Sequence, residues 1–216
     1  MRLPLRLLAL LLASACAPAP SPLLQPRPAE LTRAAPDSFV VRLETTRGDV
    51  DVMVRRDWAP LAADRFHYLV RQGFYDDVRI FRVVPNFVAQ FGLSGDTAVA
   101  AAWRELRFPD EPVRHSNVRG TLSFARGGEN TRGTQVYINL RDNARLDTLN
   151  GFGFPPFAEV IDGMEVVDSL YSGYGVRGGR GPDQDEIARE GNAYLDREFP
   201  LLDAIRRAHV VQRWER

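Results

Sequence analysis

The sequence contains no lysine: all 28 basic residues are arginine, they are matched by 28 acidic residues, and the formal net charge is zero. A neutral chain lacks the electrostatic pull that brings basic proteins to nucleic acid or anionic lipid. Arginine replaces lysine on solvated faces at little cost, so the bias reads as base composition rather than function. There is one cysteine, Cys16, which excludes an internal disulfide. Three histidines, His67, His115 and His209, are scattered, and no Cys/His cluster has metal-ligand spacing. Neither a metal nor a cofactor is expected. After the N-terminus no second long apolar run follows, so no spanning helix is expected there.

What is present begins with an export signal. Arg2 and Arg6 form a positive head, Leu7 to Leu12 an apolar run too short to span a bilayer, and Ala13-Ser14-Ala15 a small-residue cleavage region. Leu12-Ala13-Ser14-Ala15-Cys16 resembles a bacterial lipobox, with Ala13 where leucine is usual. The alternative is ordinary cleavage after an Ala-x-Ala site with Cys16 incidental. The lone cysteine, standing where a lipobox needs it, favours lipidation. Residues 1–15 are therefore expected as signal peptide and 16–37 as an extended tether rich in proline and alanine. The expected location is the bacterial periplasm, with membrane contact through the lipid anchor only. Ala17 after Cys16 favours the outer membrane.

The rest, at 44% hydrophobic and 26% charged residues, is ordinary for a globular domain. Phe39 to Thr46 and Val50 to Val54 alternate around a turn at Arg47-Gly48-Asp49, which predicts a hairpin. Asp57 can cap a helix with Pro60 in its first turn, Leu61, Phe66, Leu69 and Val70 at helical spacing, and Gly73 as its stop. Strands are expected at 78–84, 88–93, 120–125, 135–140 and 157–161, a loop at 96–110, and a second helix from Gly163 through Tyr171. Arg177 to Gly181 reads as a glycine-rich linker. Asp183 to Phe199 reads as a helix interrupted at Gly191, Pro200 to Ala208 as another, and 210–214 as a last strand. Leu195, Phe199, Leu202 and Ile205 give this extension an apolar face suited to docking in cis. Many short strands with two helices suggest a closed antiparallel barrel over 38–172, followed by the extension at 173–216.

One segment carries the best functional clue. Phe81-Arg82-Val83-Val84-Pro85-Asn86-Phe87-Val88-Ala89-Gln90-Phe91-Gly92 embeds an arginine in an apolar, β-branched run. A permanent charge in such a setting is costly unless it has a task. Gln90, Gln135 and aromatics recur at strand spacing, which suggests a shallow hydrophobic pocket with one fixed cation. His115-Ser116-Asn117 invites a hydrolase reading, but no nucleophile elbow or triad accompanies it.

Three blocks then carry a family resemblance. The segment from Phe81 to Gln90, the block Gly120-Thr121-Leu122-Ser123-Phe124-Ala125, and the block Asn130-Thr131-Arg132-Gly133-Thr134-Gln135-Val136-Tyr137-Ile138 resemble the cyclophilin family of peptidyl-prolyl isomerases in order and spacing. The resemblance covers about Phe39 to Tyr171. It implies a mainly β fold, an eight-stranded antiparallel closed barrel capped by two helices, here with a helical C-terminal extension. It implies Arg82, Gln90 and Phe87 as catalytic residues. Val88, Ala125, Arg126, Gln135, Tyr137, Leu146 and Phe154 are implied as substrate-binding residues, with Ala125 and Arg126 contacting the residue before proline. Departures are Val88 for methionine, Arg126 for asparagine, Tyr137 for phenylalanine, Arg145 for tryptophan and Phe154 for histidine. The implied partners are proline-containing segments of exported proteins. A rival from another class is a barrel that grips such segments without useful catalysis.

Overall fold

A computed structural model describes residues 21–175 and 181–214. The expected signal peptide, Cys16 and most of the glycine-rich linker lie outside the described residues. In chain order the elements are α1 (Pro28–Leu31), β1 (Ser38–Thr45), β2 (Asp49–Arg55), α2 (Pro60–Arg71), β3 (Val78–Arg79), β4 (Arg82–Val84), β5 (Val88–Phe91), α3 (Thr97–Trp103), β6 (Thr121–Phe124) and β7 (Val136–Asn139). Then come β8 (Pro156–Asp162), α4 (Met164–Asp168), α5 (Gln184–Glu190), α6 (Asn192–Glu198) and β9 (Ala204–Trp214).

The nine strands form one sheet in the order β3-β9-β1-β2-β8-β6-β7-β5-β4. Every pairing is antiparallel. The two outermost strands, β3 and β4, are separated in sequence only by Ile80 and Phe81, so the chain itself joins the two ends of the curled sheet. Counting residues 78–84 as one bent strand turns nine strands into a closed ring of eight, the expected barrel. Alternation along the strands turns Phe39, Val41 and Leu43, then Val50, Val52 and Val54, into a shared interior. α2 adds Phe66 and Leu69 to this core, and α4 adds Val167. Each large apolar side chain fully buried this way contributes roughly 1.5–3 kcal/mol. Gly163 precedes α4 with φ of 82°, and a Cβ there would overlap the Asp49 carbonyl oxygen, so glycine is needed where β8 turns into the helix.

Four local expectations are corrected. Asp57 does not cap α2: the N-cap is Ala59, and the free amides of Leu61 and Ala62 donate to the Glu111 carboxylate at 2.7 and 2.9 Å. A distant acid thus satisfies the helix end. The expected loop at 96–110 contains α3, whose N-cap Asp96 accepts from the amides of Ala98 (2.8 Å) and Val99 (3.2 Å). The stretch 204–208, read as helix, is strand. Pairing with β1 and β3 outweighs the helical spacing of its apolar residues, because strand preference is set by the partner more than by the segment. The extension therefore supplies a full strand to the sheet as well as the helices α5 and α6. Finally, the tether is not extended throughout. Leu23 and Leu31 pack on the core, the Leu23 carbonyl accepts from the Trp103 indole at 2.9 Å, and the Ala35 amide donates to Asp64 at 2.8 Å.

The extension docks in cis as expected. Ile187 of α5 and Leu195 of α6 form a small second core with Phe81, joined by Leu93, Tyr194, Phe199 and Leu202. Ile205 belongs to the barrel interior instead.

Candidate active site

β4, β5, β7 and β6 lie side by side on the sheet. Their register sets Arg82 opposite Gln90, Gln90 opposite Tyr137, and Tyr137 opposite Ser123, so these four form one row on one face. Their strand neighbours Ala89, Phe91, Val136, Ile138, Leu122 and Phe124 fill the barrel. The row therefore faces outward, away from the interior. On that face Val88, Tyr137 and Leu146 are buried, with Phe87, Ala125 and Phe154 packed against them, in a cluster separate from the barrel core. All six belong to the site residues expected from the sequence, and the fold brings them together. Phe154, whose assignment crosses extra residues, meets Tyr137 edge-on at 6.0 Å between ring centroids.

Beside the cluster runs a polar chain. Arg82 Nη1 donates to Gln90 Oε1 at 3.1 Å, Gln90 Nε2 to Gln135 Oε1 at 2.8 Å, and Gln135 Nε2 to Gln184 Oε1 at 3.0 Å. The direction is forced, because arginine has no acceptor: Gln90 must turn its oxygen to Arg82 and its amide nitrogen away, and Gln135 follows. Arg82 forms no ion pair among the described residues, and burial lowers its pKa from the ordinary value. It remains a cation at neutral pH. Its guanidinium carbon lies 5.7 Å from the Phe87 ring centroid, so the charge sits at the pocket's edge. The Arg145 guanidinium carbon lies over the same ring at 5.1 Å.

Arg126 does not reach over the pocket as a free group. It donates to the carbonyls of Gly153 (3.2 Å) and Leu149 (3.1 Å) and stacks on Phe152 and Phe154 at 5.4 and 4.9 Å. Arg132, buried against Asp110, donates to the same Gly153 carbonyl at 2.9 Å. The two arginines fix the loop that delivers Phe154. Gly153 has φ of 62°, and a Cβ would overlap the Asp147 carbonyl oxygen, so no other residue fits there.

Sequence reasoning missed the group beneath the pocket. Asn117, fully buried, accepts at Oδ1 from Tyr137 Oη (2.9 Å), Ser123 Oγ (3.2 Å) and Asn139 Nδ2 (3.2 Å). Its Nδ2 donates to Asp147 Oδ1 and to the Phe154 carbonyl, both at 2.8 Å. Burial pushes the Tyr137 hydroxyl far above its ordinary pKa, so it stays a neutral donor. Burial alone would raise Asp147, but hydrogen bonds from Ser116, the Asn117 side chain and the Asn117 amide bring its pKa below the usual value. His115 stacks on Trp58 at 4.1 Å, and Ser116 is spent on Asp147, so this triplet is structural. Gln184 was also missed, because it comes from the extension. Its only signal was the apolar face that docks α5. Among the described residues no group of three or more His, Cys, Asp or Glu could hold a metal ion.

A cleft of about 350 Å³ adjoins the pocket. Gln90, Ala125, Arg126 and Gln135 line both, and α3 and α5 form its far wall.

The antiparallel barrel thus presents a guanidinium, without an ion pair among the described residues, beside an outward apolar pocket, an arrangement that can seat an apolar ring next to a fixed hydrogen-bond donor. Residues 40–190 match the family model described as cyclophilin type peptidyl-prolyl cis-trans isomerase/CLD. The chain belongs to this family. It is 35% identical over 146 residues to peptidyl-prolyl cis-trans isomerase A of Dickeya dadantii, covering 63% of this chain and 73% of that one. It is 32% identical over 156 residues to peptidyl-prolyl cis-trans isomerase B of Escherichia coli, covering 70% and 93%. Among solved structures, a cyclophilin type isomerase of Cryptosporidium parvum shares the fold with a TM-score of 0.59 at 20% identity, covering 80% of this chain and 97% of that one. The same protein was crystallised in the presence of the dipeptide Ala-Pro, and that structure matches with a TM-score of 0.58.

Proposed function

We propose that this isomerase acts on X-Pro bonds of exported proteins, with Arg82 stabilising the twisted amide while the proline ring sits on Phe87, Val88, Tyr137, Leu146 and Phe154. Rotation costs about 18–20 kcal/mol because amide resonance must break. The planar X-Pro bond has two near-balanced forms that interconvert slowly. Twisting frees the prolyl nitrogen lone pair. A guanidinium held beside that nitrogen donates to it only in the twisted state, so the interaction lowers the barrier without strengthening ground-state binding. Gln90 holds Arg82 in place, and Gln135 offers the backbone of the bound chain an amide. Ala125 and Arg126 flank the residue before proline.

The observation that carries this reading is the outward row. A desolvated cation with no carboxylate partner among the described residues stands at the edge of an apolar cluster that is not part of the core. A protease-coupled assay on an Ala-Pro peptide tests it. Arg82→Ala is expected to lower kcat/KM about a hundredfold, comparable to losing one preorganised donor. Wild-type turnover unchanged in Arg82→Ala sinks the assignment. The second reading, a proline-peptide grip without turnover, is favoured by the smaller wall at Val88 and by Arg145 over Phe87. It predicts peptide binding with no acceleration in the wild type.

The lipobox-like Cys16 supports a periplasmic protein anchored by two acyl chains, on the outer membrane by the residue after it. Mass spectrometry of the mature N-terminus would read those chains on Cys16. An unmodified N-terminus at Cys16 or beyond contradicts the anchor.

A further inference from the structure

We propose that the cleft beside the pocket selects substrates carrying an acidic side chain upstream of the X-Pro bond, and that Arg104 and Arg107 read its charge. The inference rests on the proposed orientation, in which Ala125 and Arg126 flank the residue before proline. The cleft continues from these two residues, so it receives the side chains two or three positions before proline. Its α3 and α5 wall includes Trp103 and Ile187, apolar side chains that suit the methylene stem of a glutamate.

The charge inventory is unequal. Within the cleft lining three arginines, Arg104, Arg107 and Arg126, stand against a single carboxylate, Asp185. Arg104 and Arg107 line the cleft, are exposed, and have no carboxylate within 4.0 Å among the described residues. Arg107 spends one donor on the Thr131 carbonyl at 3.3 Å and keeps the rest of its fork. Arg126 is committed to the carbonyls of Gly153 and Leu149. The one opposing charge in the lining is Asp185, in the first turn of α5 and paired with neither arginine. Two guanidiniums without a carboxylate partner among the described residues thus share one cleft lining with a single carboxylate, and a peptide carboxylate completes the balance bidentately.

The test is a peptide series with alanine before proline and Glu, Gln or Lys at the second or third position upstream. At low salt the wild type is expected to turn over the Glu peptide about fivefold faster in kcat/KM than the Gln peptide, since exposed pairs are individually weak. The Lys peptide should fall below both, and the preference should shrink at high salt. The double variant Arg104→Glu/Arg107→Glu should invert the order, with circular dichroism confirming its fold. Asp185→Asn should widen the wild-type preference. Equal rates for the three peptides, or an unchanged order in the double variant, overturn the proposal. If no peptide is accelerated, the catalytic reading fails separately. Dissociation constants of the same peptides by NMR titration then decide the cleft: a fivefold Glu preference supports it, and a flat series overturns it.

Discussion

Replacing Asn117 by alanine should destabilise the protein by about 4 kcal/mol, through the acceptor lost to the buried Tyr137 hydroxyl and the other bonds broken around it. Five side-chain hydrogen bonds converge on Asn117. Several partners keep an alternative. Asn139 still reaches Thr121 Oγ1 at 2.9 Å, Ser123 the Phe154 carbonyl at 3.3 Å, and Asp147 the Ser116 hydroxyl at 2.5 Å. The Tyr137 hydroxyl keeps only the Ser123 side chain, so the loss of its Asn117 acceptor falls toward the lower end of about 1–3 kcal/mol. The other broken bonds cost up to about 1 kcal/mol each. For a protein of this size the sum lowers Tm by roughly 10 °C. Tyr137→Phe alone should cost no more than about 1 kcal/mol, because Asn117 Oδ1 retains two donors. In the Asn117→Ala background the same change should be neutral or stabilising, giving a coupling of about 1–3 kcal/mol. Urea melts of the four proteins measure the cycle. Strict additivity would refute the claim that the hydroxyl is what Asn117 serves.

Two further outcomes follow from the charges around the site. Asp147 has its pKa lowered by folding, so its contribution is fully present above about pH 4 and is lost as pH falls through the folded value. Wild-type stability should therefore drop more steeply below that pH than stability of Asp147→Asn, and parallel acid profiles would contradict this. Glu111→Ala removes the acceptor for two amides of α2 and should cost about 1–2 kcal/mol, while Glu111→Gln, which keeps one acceptor oxygen, should cost less. Thermal melts that rank the two variants the other way would exclude the capping role.

Phe87, Val88, Ala125 and Tyr137 were legible because each sits in one of the three blocks, and alternation in the strands then puts Arg82, Gln90 and Tyr137 on one face. Phe154 was legible although extra residues intervene, since the loop before it is pinned by Arg126 and Arg132 rather than left to wander. Asn117 was not legible. Its role depends on four segments that meet only after folding, and asparagine in a loop reads as a turn residue. α3 was hidden by its brevity, although Asp96 before Thr97-Ala98-Val99-Ala100 was a readable cap. The first half of β9 was misread because Pro200 fits a first helical turn and Leu202 and Ile205 fit an apolar helix face, and the strand pairing that overrules it comes from the other end of the chain. Gln184 could not be placed without knowing how α5 docks.

That last strand has a kinetic consequence. β9 pairs with β1 from Ser38↔Trp214 to Thr45↔Ile205, and with β3 at Val78 and Arg79, so the ring closes through contacts among the most distant in sequence. Such pairings are slow to form, because a long loop must be closed before any contact compensates its entropy. Until β9 arrives, β1 and β3 each present an unpaired edge, the surface on which strands of other chains add. A nascent chain that has reached only α6 can assemble the row holding Arg82, Gln90 and Tyr137, yet its barrel remains an open, aggregation-prone sheet.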